Sequence, residues 1–393
     1  MKDRIYLDYA ATTPVSPEVM QAMEPYFREC FGNPSSIHGT GREAHKAMDR
    51  ARKQTAEAIG AQAREIRFTG GGSESDNWAL KGTAFAMRQK GNHIITSAIE
   101  HHAVLHTCQW LEKQGFQVTY LPVNGEGRVD PAEVEKAIRQ DTILISVMTA
   151  NNEIGTLEPV REIGRIAREH GVLFHTDAVQ AAGAIPINVA DMQADLMSLS
   201  GHKIHGPKGI GALYIRDGVR IDPLIHGGEQ EMGMRAGTEN VAGIVGMGKA
   251  MELATANLEE KSRRIAGLRD RLILGIQERI DGVRLNGSRG TRLPNNCSLS
   301  FDGIEGEALL LRLDLAGIAA SSGSACASGS VDPSHVLMAI GLTPEEAKGS
   351  LRLTLGDETT GEEIDETVVK VAEIVEDLRR VGGFPIAPPH PLR

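Results

Sequence analysis

Residues 142–149 read TILISVMT, an almost continuously apolar run. A strand with apolar side chains on both faces needs cover on both, and a parallel sheet sandwiched between helices supplies it. Further strand-like runs stand at residues 66–69, 93–97, 116–121, 172–176, 196–199 and 210–215, with helix-like stretches between most of them. This alternation over residues 16–260 predicts an α/β fold on a large, doubly wound, mostly parallel sheet. Ligands of such sheets bind in loops outside the carboxyl ends of the strands.

Local signals mark where elements begin and end. Gly70-Gly71-Gly72 turns the chain from the strand 66–69 into a helix, with Ser73 as its N-cap and Asp76 as the acidic partner of a capping box. Gly91 reads as the stop before the next strand. Asn124-Gly125 is a turn, and Asp130-Pro131-Ala132-Glu133 opens a helix. A helix over 158–170 ends at Gly171 and leads into strand 172–176.

Past a charged helical stretch at 250–280, the pattern changes. Strand 297–301, helix 305–316, strand 351–355 and a long final helix read as a smaller α+β unit. The final helix opens with Thr360 and Glu363, then repeats Ile364, Val368, Val371, Val375 and Leu378 along one face. The expected division is a large cofactor-binding domain at 16–260 and a small domain made of 1–15 and 261–393. Residues 319–330, AASSGSACASGS, have no large side chain to pack and predict a mobile loop over 319–335. The Pro-rich tail 382–393 is expected to be loose.

Composition narrows the function. The formal net charge is −10 with no basic block, which disfavours a nucleic-acid partner. The four cysteines, at 30, 108, 297 and 326, form no C-x-x-C pair, against a metal cluster or a disulfide framework. No apolar run suits a signal peptide or a membrane span, so no membrane and a cytoplasmic location are expected. Gly201 and Gly206 have P-loop spacing, but Pro207 stands where that motif needs Lys. Gly70-x-Gly72 lacks the third glycine of a dinucleotide fingerprint. The adjacent His101 and His102 fit no metal-ligand spacing, so no metal is expected.

Three features point to one cofactor. The Gly70–Ser73 turn at a helix start suits a phosphate, although a tight turn alone would also ask for glycine. Asp177 lies at the carboxyl end of an apolar strand, where it either caps the next loop or pairs with a bound cation, and Gln180 follows three residues later. Lys203 sits in a small-residue loop after strand 196–199; lysines are mostly solvated, but one desolvated there suits a Schiff base. A phosphate cradle, a strand-end carboxylate and a loop lysine together suit pyridoxal phosphate.

The same residues carry a resemblance that runs nearly end to end. LDYAATTP (7–14), GNPSSIH (32–38), FTGGGSESDN (68–77), EHHAVL (100–105), NNEIG (151–155), HTDAVQ (175–180), SGHKIHGPKGIG (200–211), RAGTEN (235–240), SSGSACASGS (321–330) and SLRLTLG (350–356) stand in order. The chain resembles the NifS/IscS-type cysteine desulfurases of the class-V aminotransferase family, pyridoxal phosphate enzymes of fold type I. The long cysteine-bearing segment separates this group from its relatives.

The resemblance implies that Lys203 holds pyridoxal 5′-phosphate as a Schiff base (aldimine), Asp177 pairs with its pyridine nitrogen, Gln180 meets its phenolic oxygen, and His101 stacks on the ring and moves protons. It implies that Gly72, Ser73, Ser200 and His202 bind the phosphate, with Thr238 reaching in from the partner of a homodimer. It implies that Asn152 and Arg352 grip the carboxylate of L-cysteine. Cys326 would take the sulfur as a persulfide, leave L-alanine, and pass the sulfur to an iron–sulfur scaffold protein or another acceptor. Departures from the pattern are Gly70, Ser73, Glu229 and Ala327; Glu229 would bring a carboxylate close to the phosphate region. The competing readings are a selenocysteine or cysteine-sulfinate lyase, another fold type I aminotransferase-like enzyme, and more remotely a non-catalytic sulfur carrier. The first of these would not need Cys326.

Overall fold

The computed structural model describes residues 4–322 and 333–382. Its twelve strands are β1 (Ile5–Tyr6), β2 (Ile66–Thr69), β3 (His93–Ser97), β4 (Gln117–Leu121), β5 (Thr142–Ser146), β6 (Leu173–Asp177), β7 (Leu196–Ser200), β8 (Gly211–Ile215), β9 (Val283–Leu285), β10 (Asn296–Phe301), β11 (Ile318–Ala319) and β12 (Ser350–Thr354). Seven of them form one sheet in the order β2-β8-β7-β6-β5-β3-β4. All neighbours in it are parallel except β8, which runs antiparallel to both β2 and β7. The parallel pairs are joined by helices such as His102–Lys113 and Val160–Glu169.

The apolar runs split by parity. Ile95, Ile145, Met197 and Ala212 enter one hydrophobic cluster, while their neighbours Ile94, Leu144, Leu196 and Leu213 enter another. Successive strand residues face opposite sides, so both faces of the sheet are covered, as the continuous apolar run requires. Residues 147–149 lie beyond β5, yet Val147 and Met148 are still buried, so the apolar run outlasts the strand.

A second sheet, β12-β10-β9, is antiparallel. It packs with helices Leu258–Arg279, Gly306–Leu315 and Gly361–Val381 around Leu272, Leu299, Phe301, Leu309, Leu353 and Val371. The first strand joins this unit: β1 pairs parallel with β11, and Ile5 and Leu7 sit in its core. The last helix has the capping box read from the sequence, with Thr360 accepting from the Glu363 amide and the Glu363 carboxylate accepting from the Thr360 amide. Ile364, Val368, Val371 and Val375 are buried along it.

One helix stop and one loop read differently in the structure. The helix Gly72–Ala86 ends at Met87, before Gly91, and Gly91 instead lies against the carbonyl of Asp141, where a Cβ would collide with that backbone. Residues 319–335 are not loop throughout. Ala319 is in β11, Ser321 bridges to Arg352, and His335 opens the helix His335–Ala339 with Ser334 as its cap. The tail 383–393 and Cys326 lie outside the described residues.

Candidate active site

The turn after β2 builds one wall. Its helix is capped by Gly71, not by the expected Ser73, and Asp76 forms no capping box there. Gly71 has φ 149° and ψ 179°, a conformation open to glycine, and it makes no side-chain cap bond. The first-turn amides are therefore left without a side-chain acceptor, and Ser73 stands exposed one residue inside the helix. A cavity of 490 Å³ opens here, lined among others by Gly71, Gly72, Ser73, Ser200, His202 and Lys208. A Cβ at Gly72 would lie 2.8 Å from Cγ2 of Val179, so only glycine lets the helix start this close to the β6 loop.

Glu74, which no local sequence signal marks, also lines that cavity. Arg235 donates from Nε to its Oε1 (2.9 Å) and the Gly70 amide to its Oε2 (2.8 Å), so its charge is matched locally. Glu229, suspected from the sequence, is exposed and does not line the cavity. Lys208, also unforeseen, brings a cation.

While its neighbour His202 lines the 490 Å³ cavity, Lys203, the last residue of the turn Gly201–Lys203 that follows β7, lines a separate pocket with Tyr9, Thr13 and Gln180. Its Nζ donates to the carbonyls of Ala10 (2.5 Å) and Ala11 (2.9 Å). Gln180 Nε2 donates to the same Ala10 carbonyl at 3.0 Å. His202 Nδ1 meets Thr12 Oγ1 at 3.1 Å, and burial followed by the Lys203 charge pushes its imidazole down to about 4. The N-terminal segment thus meets the loops at the carboxyl ends of β6 and β7, where an open α/β sheet places its ligands.

Asp177 ends β6, and its Oδ1 accepts from the Val179 amide at 2.8 Å. Burial pushes its carboxyl up to about 6, while the Val179 bond and the Lys203 charge pull it down. Asp76 is also fully buried here, held well above the usual carboxylate range by burial and then by the Asp177 charge. His175 Nε2 lies 3.7 Å from Asp76 Oδ1 and within reach of Ser198 Oγ (3.0 Å), so a polar network underlies Asp177.

His101 caps the helix His102–Lys113 through Nδ1, which accepts from the Ala103 amide at 3.1 Å. A neutral ring bonded this way carries its proton on Nε2. Burial, then the Lys203 charge, pushes this imidazole down to about 4, so it is neutral at physiological pH.

Arg352 on β12 is 1% exposed. Its Nη1 donates to the Asn152 carbonyl (3.0 Å) and its Nη2 to Asp8 Oδ1 (3.1 Å), while Nε is buried without a partner. A buried guanidinium with an unused N–H suits an anion. Thr238 is exposed and does not line the 490 Å³ cavity of its own chain. Among the remaining cysteines, Cys108 and Cys297 are buried in the cores, as expected, and burial pushes both thiols up, Cys297 to about 12.

A family model for the class-V aminotransferases matches residues 5–367. The chain belongs to the class-V aminotransferase family. Among class-V aminotransferases it is similar to the cysteine desulfurase IscS of Methanosarcina thermophila, at 59% identity over 384 residues, 98% of this chain and 94% of that one. The cysteine desulfurase IscS of Dictyoglomus turgidum is 56% identical over 384 residues, 98% of each chain. A NifS-like protein of solved structure matches with a TM-score of 0.90 at 42% identity, covering 95% of this chain and 100% of that one. This chain groups with the cysteine desulfurases of the class-V aminotransferases, which are pyridoxal phosphate enzymes.

The residues of this class-V aminotransferase fit that cofactor. A helix start with uncapped amides beside Lys208 suits a phosphate dianion. A buried carboxylate at a strand end, within the field of a lysine, suits a protonated pyridine.

Proposed function

We propose that this class-V aminotransferase takes the sulfur from L-cysteine, releases L-alanine, and carries the sulfur as a persulfide on Cys326 to an acceptor. The observation that carries the reading is the convergence of Lys203, Asp177 and His101, all within one electrostatic field. Lys203 would hold pyridoxal phosphate covalently, with Asp177 at the ring nitrogen, Gln180 at the ring oxygen and His101 over the ring. Gly72, Ser73, Ser200 and His202 would bind the phosphate, joined by the partner subunit's Thr238 in a homodimer. Bound there, pyridoxal phosphate supplies an electron sink for the pair left when the substrate Cα loses its proton.

The chain supplies the rest. Arg352 and Asn152 orient the substrate carboxylate, with Arg352 offering its unused Nε–H. Lys203 Nζ accepts the Cα proton. His101, neutral and carrying its proton on Nε2, is suited to hand a proton across the site. The Cys326 thiolate attacks the substrate sulfur: the new S–S bond forms as the Cβ–S bond breaks, and Cβ is then protonated to give alanine. The net change is cysteine plus a Cys326 thiol to alanine plus a Cys326 persulfide.

An iron–sulfur scaffold protein is the proposed acceptor, and the cytoplasm the proposed location. No helix among the described residues is long and apolar enough to cross a membrane.

The test is alanine release from L-cysteine with a thiol reductant, on the loaded enzyme, its Cys326→Ala variant and its Lys203→Ala variant. We expect Cys326→Ala to lose at least about 100-fold, as loss of a nucleophile does. Lys203→Ala should lose both alanine and the absorbance of the covalently bound cofactor. Equal alanine with and without Cys326 would move the reading to a lyase.

A further inference from the structure

The turn Gly70–Ser73 offers uncapped amides to an anion, yet a carboxylate stands beside them. Of the residues that line the 490 Å³ cavity, Glu74 alone carries a carboxylate. A charge of that sign repels a phosphate dianion. Glu74 also shapes the turn: its Oε2 accepts from the Gly70 amide at 2.8 Å, one residue outside the Gly71 cap. A Cβ at Gly70 would stand 2.8 Å from that oxygen, so a side chain there would push the carboxylate away. The departure at Gly70 and the seat of Glu74 thus belong together.

Arg235 answers the charge. It closes a fork on Glu74, donating from Nε to Oε1 (2.9 Å) and from Nη2 to Oε2 (3.2 Å). Such a fork fixes geometry as well as charge. The two side chains are only 24% and 20% exposed, so salt screens the pair in part. The bond to Glu74 holds the guanidinium above the usual arginine range. Glu231 also lies in the field of Arg235, but Arg52 already binds both of its oxygens. Arg235 is therefore committed to Glu74.

We infer that Arg235 is a positioning residue which, by holding and neutralising Glu74, makes the cavity at the start of the helix Gly72–Ala86 receptive to the cofactor phosphate. The inference rests on the reading that pyridoxal phosphate binds there. Arg235 touches neither phosphate nor ring in this role. It removes a repulsion that the turn itself creates.

The test uses the full chain, stripped of cofactor and titrated with pyridoxal phosphate or with pyridoxal, which lacks the phosphate. The absorbance of the covalently bound cofactor gives each Kd. The variants are Arg235→Met, Glu74→Gln and the two together. Methionine keeps an apolar stem without the charge, and glutamine keeps an acceptor for the Gly70 amide. Arg235→Met should raise the Kd for pyridoxal phosphate about tenfold, the order of one uncompensated charge beside a dianion, and leave that for pyridoxal within about twofold. Adding Glu74→Gln should bring the first value back to within about threefold of the unaltered chain. Glu74→Gln alone leaves Arg235 as a net cation and should tighten pyridoxal phosphate about threefold.

Equal weakening of both ligands by Arg235→Met would make the fork a support of the fold only and overturn the inference. A loss that Glu74→Gln does not relieve would overturn it too. That pattern belongs to a displaced Thr238, which shares the 235–240 segment with Arg235, and not to an exposed charge. Should Arg235→Met not fold, an unchanged Kd in Glu74→Gln would overturn it. No cofactor absorbance from the unaltered chain would overturn the cofactor reading instead. Inorganic phosphate, read as a raised urea midpoint in the same chains, would then decide on Arg235.

Discussion

Glu231 and Met232 hold φ of 47° and 63°, a left-handed pair with no glycine in it. Such backbone persists only where its surroundings over-determine it. Here Arg52 donates to both Glu231 oxygens (2.7 and 2.8 Å), and the Phe68 amide donates to Oε2 (2.9 Å). Arg52 and Glu231 are both buried, and the guanidinium lies 4.8 Å over the Phe68 ring. Removing one partner of a buried ion pair leaves the other charge stranded. Glu231→Ala should therefore cost about 3–5 kcal/mol in urea unfolding; a loss under about 1 kcal/mol would show that the pair holds nothing in place. Nothing in the sequence marked this pair, because its members are 179 positions apart. Lys203 and Asp177 were legible because their neighbours, small loop residues and an apolar strand, are local signals. Asp76 was legible only as a helix-start residue. Its burial beneath Asp177 depends on which way the helix Gly72–Ala86 faces the sheet, and that is decided by packing.

Strand positions followed from the sequence with small shifts, since the apolar runs are short, continuous and set between glycines and turns. β2 and β3 stand where residues 66–69 and 93–97 were expected, and β6 reaches Asp177, one residue further than the run suggested. Helix ends were less legible. Gly72–Ala86 starts on a glycine conformation and not on a side-chain cap, and no residue pattern announces a φ of 149°. The antiparallel insertion of β8 between β2 and β7 was also hidden, because strand direction depends on connections across the sheet. Thr360 shows the opposite case, a cap written plainly in the sequence and present in the fold. Thr360→Ala should cost about 1 kcal/mol, the usual weight of an N-cap, read as a lower urea midpoint with unchanged slope. Thr360→Ser should restore it.

Across the whole molecule, buried titratable groups set a pH profile. Burial pushes Glu100 and Glu158 up to about 8 and Glu153 to about 7, from an ordinary 4.5. A raised carboxyl binds its proton more tightly folded than unfolded, so its stabilising share is full below pH 4.5 and is lost as pH rises towards 8. His93, His101 and His202 are pushed down to about 4 and His175 to about 3, from 6.5; their share is present above 6.5 and is lost as pH falls. Between pH 6.5 and about 8.5 the carboxyls act alone. The urea midpoint should fall across that window, and Glu158→Gln should flatten the fall. A midpoint rising from 6.5 to 8.5 would contradict this burial. The pairing of Ile5 with Ile318 and of Tyr6 with Ala319 has a consequence in time. A ribosome adding ~5–20 residues per second releases the partner strand roughly 15–60 s after the first. Until then the segment whose Ala10 and Ala11 carbonyls receive the Lys203 ammonium is held only from the side of Thr13 and Gln180, without its strand partner. The frame of the site is thereby completed late, after most of the message has been read.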